Sequence, residues 1–180
     1  MLQYLILKKL DQQERQLGES LDYVRYILRT SRRLFFKFAK VFSMVNCRRS
    51  LPLEAGHVAG LVAARDEDCG TCVQIGLNIA HHEGVPDEIM QAALDGCPDR
   101  LSRELADVYH FVEAVVSASG AEAPFRERIV KRWGDEALVE MSLVIASSRV
   151  FPIVKRTLGY AKSCSVVRPR VGGSSAPVSV

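Results

Sequence analysis

Apolar side chains return at intervals of three and four along residues 1–162, with little alternation at two and few β-branched clusters bounded by turns. A chain with that period buries one face of each helix against another, so the expected fold class is all-α, a multi-helical bundle. Glycine and proline punctuate it. A first helix, Leu2 to Leu17, stops at Gly18, and a second begins near Ser20 and runs toward Val45. Its stripe is Leu34, Phe38, Val41, Phe42 and Val45, with Arg25, Arg29, Arg32, Arg33, Lys37 and Lys40 over much of the remainder. Pro52 suits the first turn of a helix reaching about Asp66. The next helix is expected to start at the acidic cluster Asp66, Glu67 and Asp68, where a carboxylate can cap free N–H groups, and to end at Glu83 before Gly84. Further helices are expected from Asp87 to Leu94, from about Leu101 to Ala118 with Leu105, Val108, Val112 and Val115 buried, from Pro124 to Trp133, and from Asp135 to about Leu158. Pro152 is expected to kink the last of these, because it lacks the N–H the helix needs.

Charge divides the same chain into three. Residues 1–50 carry eleven basic and four acidic side chains, residues 51–140 seven and seventeen, and residues 141–180 six and none. The expected organisation is a basic helical extension (1–50), an acidic main domain (51–162) and a tail (163–180) whose Ser, Val, Gly and Pro, without periodicity, predict disorder. The total of +3 is too small to mark a nucleic-acid binder. Charged residues interrupt every long apolar run, so no membrane span is expected. At the start, the apolar run precedes the lysines, the wrong order for a secretory signal. A cytoplasmic protein is the expectation. The basic helix of residues 20–45 is expected to pack its stripe on the protein, or across an oligomer interface, rather than on a membrane or RNA.

Five cysteines, Cys47, Cys69, Cys72, Cys97 and Cys164, are too few and too unevenly spaced for a disulfide scaffold. Cys69 and Cys72 are different. At i and i+3 on a helix they face the same side, close enough for a disulfide with modest adjustment. At a helix N-terminus the free N–H groups favour thiolate, whereas the three neighbouring carboxylates oppose it. A basic partner would tip the balance, and His57 is the candidate. It lies on the stripe Leu53, His57, Leu61 and Ala64 of the preceding helix, which an antiparallel hairpin can bring beside the cysteines; a core histidine with a hydrogen-bond partner is the plainer reading.

His81 and His82 end the cysteine helix, where a cation suits the dipole, and their spacing with Cys69, Cys72 and His57 matches no strong zinc pattern. Gly76, inside that helix, costs about 1 kcal/mol relative to alanine, which points to close helix packing or to space for a substrate. Gln74 and Asn78 are expected to face solvent, His110 to lie at the surface, and Cys47, Cys97 and Cys164 to be free thiols.

Residues 51–162 resemble the carboxymuconolactone decarboxylase and alkylhydroperoxidase D-like family. The residues that carry the likeness are Leu61-Val62-Ala63-Ala64-Arg65 leading into Cys69-Gly70-Thr71-Cys72, then Ala80-His81-His82-Glu83-Gly84-Val85-Pro86-Asp87-Glu88-Ile89, and later Trp133-Gly134-Asp135-Glu136-Ala137-Leu138-Val139-Glu140. The resemblance implies an all-α fold, a homo-oligomer, and an active dithiol in which Cys72 attacks and Cys69 is its disulfide partner. Two positions depart from the family. Its redox members usually place a histidine four residues after the second cysteine, where this chain has Gly76, and a glutamate twelve residues before the first, where it has His57.

The activity expected from the resemblance is that of a peroxidase-like dithiol oxidoreductase. His57 would assist formation of the Cys72 thiolate, the thiolate would attack a peroxide or disulfide substrate, and Cys69 would resolve the intermediate. An unidentified thiol reductant would restore the dithiol, with no metal or organic cofactor. Thiol–disulfide exchange tolerates the altered proton relay more easily than full peroxidase turnover. The alternative is a non-redox oligomeric binding or structural member of the same family; a lactone-acid decarboxylase or isomerase lacks a convincing charged pocket.

Overall fold

The computed structural model describes residues 2–45, 48–161 and 170–171, and within them it holds helices and no strand. The helices are α1 (Leu2–Leu17), α2 (Asp22–Thr30), α3 (Arg32–Val45), α4 (Leu53–Asp66), α5 (Gly70–His82), α6 (Asp87–Asp95), a 3-10 turn (Pro98–Arg100), α7 (Arg103–Val116) and α8 (Ala123–Thr157). The fold is an all-α multi-helical bundle, as the periodicity requires. The tail of residues 163–180 lies outside the described residues, apart from Arg170 and Val171.

α4 organises the bundle. Ala55 to Ala59 and Leu61 to Ala64 are all buried, the pattern of a helix apolar on every side, and α5, α6, α7 and α8 pack around it. Small residues let these neighbours come close: a Cβ added to Gly60 would meet Ser148 Oγ of α8 at 3.2 Å. Between α8 and the start of α4, Glu140 makes a polar joint. Its buried carboxylate accepts the backbone N–H groups of Arg49 (2.8 Å), Ser50 (3.0 Å) and Leu51 (2.8 Å). Burial alone would raise this carboxyl, but the three N–H bonds and Arg49 outweigh it and hold it below the usual carboxylate value.

The N-terminal helices form a second, smaller apolar cluster around Leu10, Leu21, Tyr23, Val24, Leu28 and Phe35. It is held by Arg25, which pairs with Asp11 and Glu14 of α1, and it reaches α8 through Phe38, whose ring meets Phe151 edge-on at 5.9 Å. Asn78 of α5 donates to the Leu17 carbonyl at the end of α1 (2.7 Å), which ties this cluster to the main one.

Several boundaries differ from the expectation. The single helix expected from Ser20 to Val45 is two, broken at Ser31, whose backbone is extended and whose hydroxyl accepts the Leu34 N–H at 3.3 Å. Serine satisfies a new helix start better than it extends an old one. As a result Leu34 and Phe42 are partly exposed and Phe35 is buried in their place. Val115, expected to be buried, is 38% exposed near the end of α7. α8 breaks at Gly134 (φ +83°), where the two expected helices meet, but runs through Pro152 without leaving helical geometry. By length and composition α8 is apolar enough to cross a bilayer, so interrupting charges do not exclude such a span. Within this fold its Glu140 and Arg149 bond to polar groups of other segments.

Candidate active site

The turn between α4 and α5 fixes both cysteines. α4 ends at Asp66, and Asp68 adopts a left-handed conformation (φ +49°), which aspartate tolerates better than most residues. Cys69 thus becomes the residue that opens α5, and Cys72 falls in the first turn, its N–H donating to the Cys69 carbonyl at 2.9 Å. The acidic cluster is the turn itself and caps nothing on α5, contrary to expectation. The sulfurs of Cys69 and Cys72 are joined, with Cα atoms 5.3 Å apart, inside the span of a disulfide. The two are not equivalent. Cys69 is 1% exposed, whereas Cys72 is half-buried and lines a cavity of about 260 Å³.

That cavity lies at the seam of the two apolar clusters. Leu17, Leu21 and Phe42 of the N-terminal helices face Leu61, Val73 and Val144 of the main bundle across it. Gly76 is on its wall, and a Cβ placed there would meet no heavy atom within 4 Å. The expectation of close helix packing at this glycine gives way to open space.

Three carboxylates beside the sulfurs would oppose a thiolate, but α8 offsets two of them, Glu67 and Asp66. Glu67 is 7% exposed and accepts from Arg149 Nε at 2.6 Å and from Arg156 at 3.5 Å, while Asp66 pairs with Arg149 at 3.6 Å. Arg156 also donates to the Glu67 carbonyl. Deeper in, Lys155 of α8 is 4% exposed and donates to Thr71 Oγ1, which in turn stands 3.5 Å from Cys69 Sγ. The Lys155 ammonium also lies 5.6 Å from the centre of the Tyr23 ring. Burial pushes the Tyr23 phenol well above its ordinary range.

Lys155 and Thr71 were not singled out from sequence. A signal existed for Lys155. Val144, Ser148, Phe151 and Lys155 recur at four, three and four along α8 and all line the cavity, so a lysine stands on an inward stripe.

His57 is elsewhere. Its Nε2 bonds to Glu83 Oε2 at 2.8 Å, Arg48 pairs with the same oxygen at 2.6 Å, and no hydrogen bond joins the ring to either sulfur. The hairpin explains this: a residue well before the end of α4 faces the far end of α5, and Glu83 comes eleven residues after Cys72, about 16 Å of helix. His57 lines the cavity that Cys72 lines. Burial is the main cause holding this imidazole below its ordinary value; Arg48 adds to the effect, and the Glu83 bond works against it. The neutral ring donates Nε2–H to the carboxylate. Glu83 itself is raised by burial, but His57 and Arg48 outweigh that and keep it below the usual range.

The remaining candidates have structural partners. Gln74 and Asn78, expected to face solvent, bond to each other at 2.8 Å, and the Gln74 amide holds both backbone groups of Arg170, accepting its N–H at 2.8 Å and donating to its carbonyl at 2.9 Å. His81 bonds Asp87 at 2.9 Å, His82 is exposed, and His110 packs near Phe125. Cys97 is a free thiol; Cys47 and Cys164 lie outside the described residues. Among the described residues no cluster of His, Cys, Asp and Glu has the arrangement of a metal site.

No protein-family model, no curated protein and no solved structure matches this chain.

Proposed function

We propose that this chain is a peroxidase-like dithiol oxidoreductase, in line with its resemblance to redox members of the carboxymuconolactone decarboxylase and alkylhydroperoxidase D-like family. The observation that carries the reading is the asymmetry of the cysteine pair. Cys72 faces an apolar cavity, and Cys69 is buried behind it and bonded to it. In the first turn of α5 the free N–H groups favour a Cys72 thiolate, and the arginines of α8 offset Asp66 and Glu67 among the nearby acids. The thiolate attacks one oxygen of a peroxide. An S–O bond forms, the O–O bond breaks, and the departing oxygen takes a proton to leave as an alcohol or water. The Cys69 thiolate then attacks Cys72 Sγ, forming the disulfide and releasing hydroxide, which is protonated to water. Two equivalents of a thiol reductant restore the dithiol and leave as their own disulfide.

The cycle needs no metal or organic cofactor. Its setting in this reading is the reducing cytoplasm, and the working form is a homo-oligomer. The His57 ring is engaged with Glu83, which Arg48 also holds, so its part in this reading is to fix these charges beside the cavity that it lines with Cys72.

The test is consumption of cumene hydroperoxide with dithiothreitol, alongside mass spectrometry with and without reductant. The expected results are a reducible Cys69–Cys72 bond and turnover that Cys72→Ser abolishes. Turnover equal in the parent and Cys72→Ser would overturn the proposal. The apolar cavity also favours a second reading, a non-redox binding protein. Tight retention of an apolar probe with no thiol-dependent turnover would establish it.

A further inference from the structure

The dithiol reading leaves one question of direction open, namely which sulfur an incoming thiol attacks and which one leaves. Lys155 is all donor and has no acceptor, so its bond takes one lone pair of the Thr71 hydroxyl and leaves the single hydroxyl proton free, and a disulfide sulfur, which carries no hydrogen, can only accept it. That sulfur, 3.5 Å away, is Cys69 Sγ. The result is a one-way chain of donors, from Lys155 through Thr71 to the buried sulfur. In the disulfide that sulfur is a poor acceptor. Once the bond opens, it carries a full negative charge at a position 1% exposed to water, where an unsolvated anion is costly.

We infer that Lys155, acting through Thr71, stabilises the thiolate of Cys69 and so makes Cys69 the leaving sulfur and Cys72 the attacked one. The inference rests on the redox reading above and adds its polarity. In the reductive step a thiolate from the cavity forms a bond to Cys72 Sγ. The Cys69–Cys72 bond breaks, and its electron pair passes to Cys69 Sγ, which receives the Thr71 hydrogen bond. A second thiol cleaves the mixed disulfide on Cys72 and departs oxidised, so two thiols lose two electrons and the protein disulfide gains them. A leaving thiol of lower basicity departs faster, and the same stabilised thiolate is the form that resolves an oxidised Cys72. Thr71 touches the reacting atom; Lys155 is a positioning residue.

Other charges face this sulfur. Glu67, Asp66 and Asp68 are on the adjoining turn, Arg149 and Arg156 on α8 pair with Glu67 and Asp66, and Tyr23 of α2 lies under the lysine. With Glu67 and Asp66 held by arginines, Lys155 is the cation whose bond leads to Cys69.

The experiment titrates Cys69 in the full chain carrying Cys72→Ser, by ultraviolet thiolate absorbance against a Cys69→Ser, Cys72→Ser reference, which needs no reagent to reach a buried sulfur. Thr71→Val and Lys155→Met should each raise the Cys69 midpoint by about one pH unit, a tenfold loss of thiolate fraction at a given pH below it. Thr71→Ser and Lys155→Arg should restore most of it. In chains that keep both cysteines, 2-mercaptoethanol should be trapped on Cys72 in the parent and on both sulfurs in Lys155→Met. A Cys69 midpoint unmoved by Thr71→Val overturns the inference, including the case where Lys155→Met moves it alone or fails to fold. A midpoint that moves as expected in a chain with no peroxide turnover would sustain this inference and remove the peroxidase reading instead.

Discussion

Replacing Gly76 by alanine should stabilise the protein, and the structure sets the size. Gly76 lies inside α5 with no positive φ, so alanine adopts the same backbone without strain. In a helix interior alanine is better than glycine by about 1 kcal/mol, because it loses less backbone entropy on folding. The added Cβ meets no heavy atom within 4 Å, so there is no clash to subtract. The expected gain is therefore about 1 kcal/mol, read as a higher urea midpoint at unchanged slope and as a rise in Tm of roughly 2–4 °C for a chain of this size. Gly76→Leu separates stability from function: the larger side chain occupies space beside Cys72, so peroxide turnover should fall at least about tenfold while the fold survives. An alanine variant no more stable than the parent would show that the space at Gly76 is not what the geometry makes it, and the account of the cavity would fail with it.

Two further substitutions probe the polar joints. Glu140→Gln should cost about 3 kcal/mol at neutral pH, since a charged acceptor of three buried N–H groups is replaced by a neutral one, and urea unfolding reads the loss directly. Because the folded Glu140 carboxyl titrates below its ordinary value of 4.5, its contribution is present above that pH and is lost as pH falls through the folded value, so the variant should show a shallower acid slope. Burial likewise holds folded His57 below its ordinary 6.5, so the unfolded chain takes up a proton that the folded one resists, and parent stability should decline as pH drops below 6.5. His57→Gln should flatten that decline and leave the Cys72 thiolate titration where it was; a Cys72 midpoint that moves would place the imidazole nearer the sulfur than its bond to Glu83 allows.

Much of the architecture was legible because it depends on local signals. Gly18, Gly84, Gly96 and Gly134 stand at helix ends or breaks, and all have positive φ. The break at Ser31 was missed because the apolar period continues across it, and period alone does not register a side chain that competes for backbone donors. At the site, the cysteine pair was visible from its spacing, but the sequence did not show that its histidine would bond to Glu83 and that a lysine from α8 would reach Thr71. His57 was the natural candidate within the hairpin, yet an antiparallel pair places early residues of one helix against late residues of the next, so it met Glu83. Lys155 lies 84 residues from its partner Thr71, a separation at which sequence order carries no information about contact.

What the order of residues settled unaided is a set of helices and the placing of two thiols in one turn, since both follow from rises and rotations repeated every few residues. What required the folded molecule is the environment of those thiols: which sulfur meets the cavity, which is sealed, and which charges stand beside each. Helical period specifies the face a side chain occupies, but α8 and the N-terminal helices are brought to that face by burial of apolar surface over long separations. That burial is indifferent to which polar groups it carries along, and it delivered arginines to the acidic turn and a lysine to Thr71.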